Sequence, residues 1–266
     1  MTIRVTLAGA TGKVGGPLSK AIAQSSDLEL VGAIARAHAG RRLGDVLGIP
    51  KLDISIRANA TEALATPCDV FVDYTRADAV KAHVLTALEH GAHVVVGSSG
   101  LSDADFAEID VLAREKQRGV FAAGNFAITA VLLQRFALLA AAEIPQWEII
   151  DYSYEKKVDA PSGTARELAT RLDQVRAPVH HVPLSSVVGP REARGATIGH
   201  TQVHSVRLPG YTLSVEIVFG LAGERLSIRH DSIDPSAPYV GGTLLAVRRV
   251  SSLVGVVRGL DRLLGS

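Results

Sequence analysis

Two textures of apolar and polar positions divide the chain. In the first, short apolar runs at 3–8, 28–33, 70–75 and 94–96 alternate with helix-like stretches at 17–24, 77–89 and 103–118. That alternation predicts an α/β fold, a Rossmann-type doubly wound parallel sheet with ligands at the strand C-terminal ends. An apolar helix is expected at 128–142. Beyond it, strand-like runs at 147–154, 202–208, 211–219 and 224–229 predict an α+β substrate and oligomerisation domain with a mostly antiparallel sheet. Pro209-Gly210 between two of those runs reads as a hairpin turn. A last helix near 242–250 is expected to return to the first domain. The predicted division is a dinucleotide-binding domain at 1–125, completed by the C-terminal helix at 235–266, and a second domain at 126–234.

Composition narrows the picture. The chain has 266 residues, 47% of them hydrophobic, enough for a substantial core. The longest apolar stretch, 128–142, is broken by Gln134 and Arg135 and is too short to span a bilayer. A strand pattern begins at Ile3, which leaves no room for a signal peptide. A formal net charge of +1 gives no pull towards nucleic acid or acidic membranes. Cys68 is the single cysteine, so no intrachain disulfide forms and no cysteine-based metal site is expected. These observations predict a cytoplasmic α/β protein without a metal.

Chemistry enters at two places. The first strand runs into Gly9-Ala10-Thr11-Gly12-Lys13-Val14-Gly15, a spacing variant of the dinucleotide fingerprint, followed by a helix and a second strand. Such a turn lets backbone amides approach a pyrophosphate at a helix N-terminus. Where an NAD site usually places Asp or Glu after the second strand, this chain has Ala35 and then Arg36. An arginine without the carboxylate suits a 2′-phosphate, so NADPH is expected, with NADH as the alternative. Lys13, Arg41 and Arg42 could add to that field or be solvated loop charges. The second place is Lys157-Val158-Asp159-Ala160-Pro161-Ser162-Gly163-Thr164, a turn that leads into a helix. Thr164 and Glu167 have capping-box spacing. Free amides there, the Ser162 and Thr164 hydroxyls and the Lys157 charge would attract a carboxylate or phosphate.

The string Lys157 to Thr164, with Trp147-Glu148-Ile149-Ile150-Asp151 before it, resembles the signature of the dihydrodipicolinate (4-hydroxy-tetrahydrodipicolinate) reductases. These are NAD(P)H-dependent imine reductases of lysine and diaminopimelate synthesis. Asp73-Tyr74-Thr75 and Gly97-Ser98-Ser99-Gly100 resemble loops that flank the nicotinamide in the family, and Gly124-Asn125-Phe126 its crossing between domains. Arg194 to Gly199, His204 to Arg207 and Gly223 to His230 resemble further family pieces. The resemblance implies reduction of a cyclic imine dicarboxylate, with Lys157, Ser162, Gly163 and Thr164 receiving substrate. It implies cofactor contacts from Gly9, Thr11, Gly12, Lys13, Val14, Gly15, Arg36, Tyr74, Thr75, Gly97, Ser98, Ser99, Gly124, Asn125 and Phe126. A homotetramer joined through the second domain's sheets is implied as well.

The chain departs from the family where a His-His pair usually stands, four and three residues before the lysine. Ser153 and Tyr154 occupy those places, and an acidic–His element after Arg207 is also missing. Lys157, which can donate a proton at neutral pH, and Tyr154, which can donate a hydrogen bond, remain as catalytic candidates. His204 is a further candidate donor, with a satisfied strand histidine as its plainer role. The departures keep two alternatives open, a paralogue reducing a different cyclic imine carboxylate and a nucleotide-binding pseudoenzyme. An ordinary sugar or amino-acid dehydrogenase would explain the glycine turn but not residues 157–164.

Overall fold

The computed structural model describes residues 2–265. In chain order the first elements are β1 (Ile3–Ala8), α1 (Gly15–Gln24), β2 (Leu28–Ile34), α2 (Leu43–Leu47), β3 (Ile56–Arg57) and α3 (Ala60–Leu64). Next come β4 (Val70–Asp73), α4 (Val80–Glu89), β5 (His93–Val96), α5 (Asp103–Glu115) and β6 (Gly119–Ala122). Helix α6 (Ile128–Glu143) leads to β7 (Trp147–Ser153), α7 (Gly163–Val175), β8 (Ala196–Ile198), β9 (Thr201–Arg207), β10 (Leu213–Leu221) and β11 (Glu224–Ser232). The chain closes with α8 (Ala237–Arg249) and β12 (Gly255–Arg258). Two compact units result, one of Met1–Ile128 with Ser236–Ser266, the other of Thr129–Pro235.

The first unit is built on a seven-stranded parallel sheet ordered β12-β6-β5-β4-β1-β2-β3. Strands β4 to β6 are buried on both faces, which explains their unbroken apolar sequence. Phe71, Val94, Val96 and Val120 pack there against Val84 and Leu88 of α4 and Ile109 of α5. The strand order reverses between β1 and β4, so the loops after these two strands open the crevice that characterises doubly wound sheets. The expected fold class is thus observed, with additions. Strands β6 and β12 extend the sheet at one edge, β3 at the other, and the short helices α2 and α3 fill the connection between β2 and β4.

The second unit holds a five-stranded mixed sheet ordered β11-β10-β7-β9-β8. Three pairings are antiparallel, and β7 runs parallel to β9. Pro209-Gly210 is therefore not a hairpin turn. It crosses over β7, which occupies the slot between β9 and β10 and bonds to both. The real hairpin joins β10 to β11 through Ala222-Gly223, with Gly223 at φ +84°. One sheet face is covered by α6 and α7, where Leu133, Ala137, Leu168 and Leu172 meet Ile149, Val203, Val215 and Ile217. The alternation along β7 turns Glu148, Ile150 and Tyr152 to the opposite face. No helix is long and apolar enough to cross a membrane among the described residues.

Candidate active site

In the first unit the glycine turn sits at the C-terminal end of β1, beside the loop after β4. Gly9 has φ +82°, and a Cβ there would collide with the Tyr74 carbonyl oxygen; a Cβ on Gly15 would collide with that of Gly9. These two glycines are required by the packing of the turn itself. Gly12 donates its amide to Gly9 O at 2.8 Å, and α1 starts with Val14 as its N-cap. Among the described residues nothing accepts from the amides of Lys13 or Val14. Two free donors at a helix N-terminus fit the pyrophosphate of a dinucleotide. Thr11 Oγ1 lies 3.2 Å from His38 Nδ1, a neighbour across 27 residues that no local pattern announces. Arg36 is exposed in the turn after β2, and Lys13 and Arg41 are exposed as well. Arg42 pairs with Asp53, both side chains largely exposed.

The two loops after β4 and β5 are held by Asp73, which is fully buried. Its Oδ1 accepts from Ser98 Oγ at 2.5 Å, from Thr75 Oγ1 at 2.7 Å and from the Thr75 amide at 2.9 Å. Its Oδ2 lies 2.7 Å from His83 Nδ1. Burial pushes the Asp73 carboxyl up, but the hydrogen bonds from His83, Ser98 and Thr75 outweigh it and hold the group below the usual carboxylate range. The Thr75 and Ser98 side chains are thus engaged with Asp73. Tyr74 points its ring at Gly97 and places its hydroxyl 2.6 Å from Thr243 Oγ1, where burial raises its pKa. Ser98, Ser99 and Gly124 line one cavity of about 360 Å³ beside Gly259. Asn125 folds back, its Oδ1 accepting from the Ala127 amide at 2.8 Å, and the Phe126 ring is buried against Tyr74 and Phe121.

In the second unit β7 leads through a loop with a cis Ala160–Pro161 peptide into α7. The cap differs from the expected Thr164–Glu167 box. Helix α7 begins at Gly163, and Ser162 is its N-cap, accepting from the Ala165 amide at 3.3 Å. The helix starts two residues earlier because the Ser162 amide is anchored on Asp151 Oδ2 at 2.8 Å. Nothing among the described residues accepts from the amides of Gly163 or Thr164. Lys157 Nζ pairs with Asp159 Oδ1 at 2.5 Å, and this contact holds the Asp159 carboxyl below its usual range. The segment 157–164 therefore carries an ammonium, held by Asp159, two amides without acceptors and two hydroxyls, the kinds of group an anion receptor uses.

Neither position of the absent histidine pair carries an imidazole. Ser153 is fully buried and donates its Oγ to Thr212 O at 2.8 Å, so its hydroxyl is structural. Tyr154 is 44% exposed at the end of β7. His204 takes the plainer of its two roles. It alternates on β9 with Ser205, which pairs with Asp151, and so lies on the sheet face opposite the loop anchor. There its Nε2 lies 2.6 Å from Glu148 Oε2, and Glu148 also pairs with Arg194. Arg207 had no assigned role in the sequence, yet its Nη2 lies 2.7 Å from Asp151 Oδ2 and also donates to Asp159 O. The signal that could have found it is the parallel register, which sets Arg207 beside Ser153.

Comparison with known proteins places both units in one lineage. The family model described as dihydrodipicolinate reductase, N-terminus, matches residues 3–126, and the one described as dihydrodipicolinate reductase, C-terminus, matches residues 126–264. The 4-hydroxy-tetrahydrodipicolinate reductase of Syntrophomonas wolfei is 39% identical over 265 residues, covering 98% of each chain. That of Bacillus pumilus is 39% identical over 99% of this chain and 98% of its own. The dipicolinate-bound dihydrodipicolinate reductase from Paenisporosarcina sp. TG-14 superposes with a TM-score of 0.88 at 32% identity, over 99% of this chain and all of that one. With both halves matched and full-length relatives well above 30% identity, the chain belongs to the dihydrodipicolinate reductase family.

Proposed function

We propose that this protein reduces a cyclic imine dicarboxylate with NADPH or NADH, its substrate being 4-hydroxy-tetrahydrodipicolinate and its product tetrahydrodipicolinate. The observation that carries the reading is the Lys157–Thr164 segment, which holds an ammonium and, a few residues on, unspent helix-start amides, in a chain whose structural relative binds dipicolinate. When bound, the nicotinamide supplies the hydride. The chain's own residues do the rest. The amides of Lys13 and Val14, with Thr11, would hold the pyrophosphate, and the loops of Tyr74–Thr75, Gly97–Ser99 and Gly124–Phe126 would border the nicotinamide. Gly163 and Thr164 would receive one carboxylate through their amides. Lys157 would oppose its charge and stand as the donor of a proton to the ring nitrogen. An ordinary lysine is protonated at neutral pH, and solvent can restore the proton after reduction.

NADPH is the preferred cofactor in this reading. Ala35 leaves no carboxylate to hold a ribose 2′-hydroxyl, and no carboxylate among the described residues pairs with Arg36. The working assembly is read as a homotetramer built on the second unit's open sheet face. The cytoplasm is its place of work, where Cys68, buried in the core, stays reduced.

A second reading, reduction of a different cyclic imine carboxylate, is favoured by Ser153, whose buried hydroxyl cannot take over imidazole chemistry. One assay separates the two. NADPH oxidation is followed with freshly generated pathway substrate, beside a panel of other cyclic imines and a Lys157→Ala variant. Turnover of the pathway substrate, reduced about 10²- to 10³-fold in the variant, supports the first reading. Tight NADPH binding without turnover of that substrate rejects it in favour of another imine or a non-catalytic role.

A further inference from the structure

A network anchored on buried Asp151 ties the Lys157–Thr164 loop to the sheet. Arg207 ends β9 with its side chain 15% exposed, and it donates to three chain segments. Nη1 donates to Asp151 O at 3.0 Å on β7 and to Val206 O at 2.9 Å on its own strand. Nη2 donates to Asp159 O at 2.7 Å in the loop, while also meeting Asp151 Oδ2. The carboxylate of that same Asp159 holds Lys157 Nζ at 2.5 Å. A continuous line of contacts therefore runs from Asp151 through Arg207 and Asp159 to Lys157.

Stability alone is a poor reason for such a device. Two charges withdrawn from water lose about as much in solvation as they regain from each other, and Arg207 Nε is buried with no acceptor among the described residues. A planar guanidinium does offer what an ammonium cannot, several donors in a rigid fork that meet a carboxylate and two carbonyls at once. A loop lysine left to itself would spread over many rotamers, and catalytic geometry requires a support for it.

We propose that Arg207 and Asp159 form a positioning relay for Lys157. Arg207 fixes the Asp159 backbone through its carbonyl, and the Asp159 carboxylate holds the ammonium where the substrate's carboxylate is received. The relay rests on the reading of the Lys157–Thr164 loop as the substrate receptor, and it makes Arg207 a positioning residue rather than a catalytic one.

The test is a double-mutant cycle on the full chain, with Arg207→Lys and Lys157→Ala made singly and together. Affinity for pyridine-2,6-dicarboxylate is read by calorimetry, and affinity for NADPH by fluorescence. Arg207→Lys is expected to weaken the dicarboxylate about tenfold in the parent and less than about twofold once Lys157 is gone. NADPH affinity should stay within about twofold throughout, which a general loss of structure would not allow. The same tenfold loss in both backgrounds overturns the relay, as does no loss in the parent. Where Arg207→Lys does not fold, Asp159→Asn at its partly exposed loop position completes the same cycle, and the same pattern of losses supports or overturns the relay. If Lys157→Ala leaves dicarboxylate affinity unchanged, the receptor reading falls and the relay with it. If that variant binds weakly while Arg207→Lys binds normally, the relay alone falls.

Discussion

Asp73 carries the clearest consequence at the scale of single residues. Its folded pKa is depressed, because donors from Thr75, Ser98 and His83 outweigh the cost of burial. A depressed carboxylate contributes stability that is fully present above its unfolded pKa, about 3.9, and is lost as pH falls through the folded value. Asp73→Asn is therefore expected to cost roughly 2–3 kcal/mol at pH 7, since several buried donors lose a charged acceptor. The gap between parent and variant should narrow below about pH 4, and urea unfolding at pH 7 and pH 3 would read it. A gap that is constant with pH would mean that Asp73 titrates alike in both states. The glycine turn and the Lys157–Thr164 string were legible because their chemistry is local in sequence. The partners of Thr11 and Arg207 were not. His38 lies 27 residues from Thr11 and Asp151 lies 56 from Arg207, and only the pairing of strands brings them together.

Elements were read well where a period ran for many residues and poorly where they were short or where spacing was ambiguous. Strand β3 has two residues, too few to show a pattern, and β12 has only two apolar positions between Gly255 and Arg258; both are recruited by a neighbouring ladder. Pro209-Gly210 has the composition of a hairpin turn, but composition cannot reveal that β7 has already taken the adjoining slot. The start of α7 shows the same limit. Thr164 and Glu167 have the right spacing for a cap, and so does Ser162 with Ala165; the tie from Asp151 to the Ser162 amide selects the second. Ser162→Ala should accordingly cost about 1 kcal/mol of unfolding free energy, and Thr164→Ala no more than about 0.5 kcal/mol. Thermal unfolding of the two variants would decide it, and a larger loss for Thr164→Ala than for Ser162→Ala would return the cap to Thr164. Dicarboxylate affinity is expected to fall in both, because either hydroxyl belongs to the receptor under the proposed function.

For the whole molecule, strand–helix alternation was enough to announce a doubly wound sheet, whereas the second unit's mixed sheet leaves one face to be accounted for. Helices α6 and α7 cover the face that carries Ile149, Val203 and Ile217. The opposite face carries Ile150 and Val218 and opens into a cavity of about 930 Å³, beside which Val182 and Val188 are exposed. A sheet with an apolar face needs a second layer, and an uncovered apolar patch marks an association surface. The charged groups Glu148 and Glu216 on that face are already paired, Glu216 with Tyr152 and Glu148 with both His204 and Arg194, so a partner layer could bury them without stranding those charges. Under the homotetramer reading, the purified chain should sediment at four times the mass of one chain. Ile150→Arg, which sets a charge at the centre of this face, should shift it to smaller species at micromolar concentration. The Asp151–Arg207 anchor of the substrate loop lies on the other face, so the dissociated variant should still bind pyridine-2,6-dicarboxylate within about threefold of the parent, provided the fold survives. A parent that sediments as a monomer would leave the face exposed in solution and end the tetramer reading, while leaving the receptor chemistry of the loop untouched.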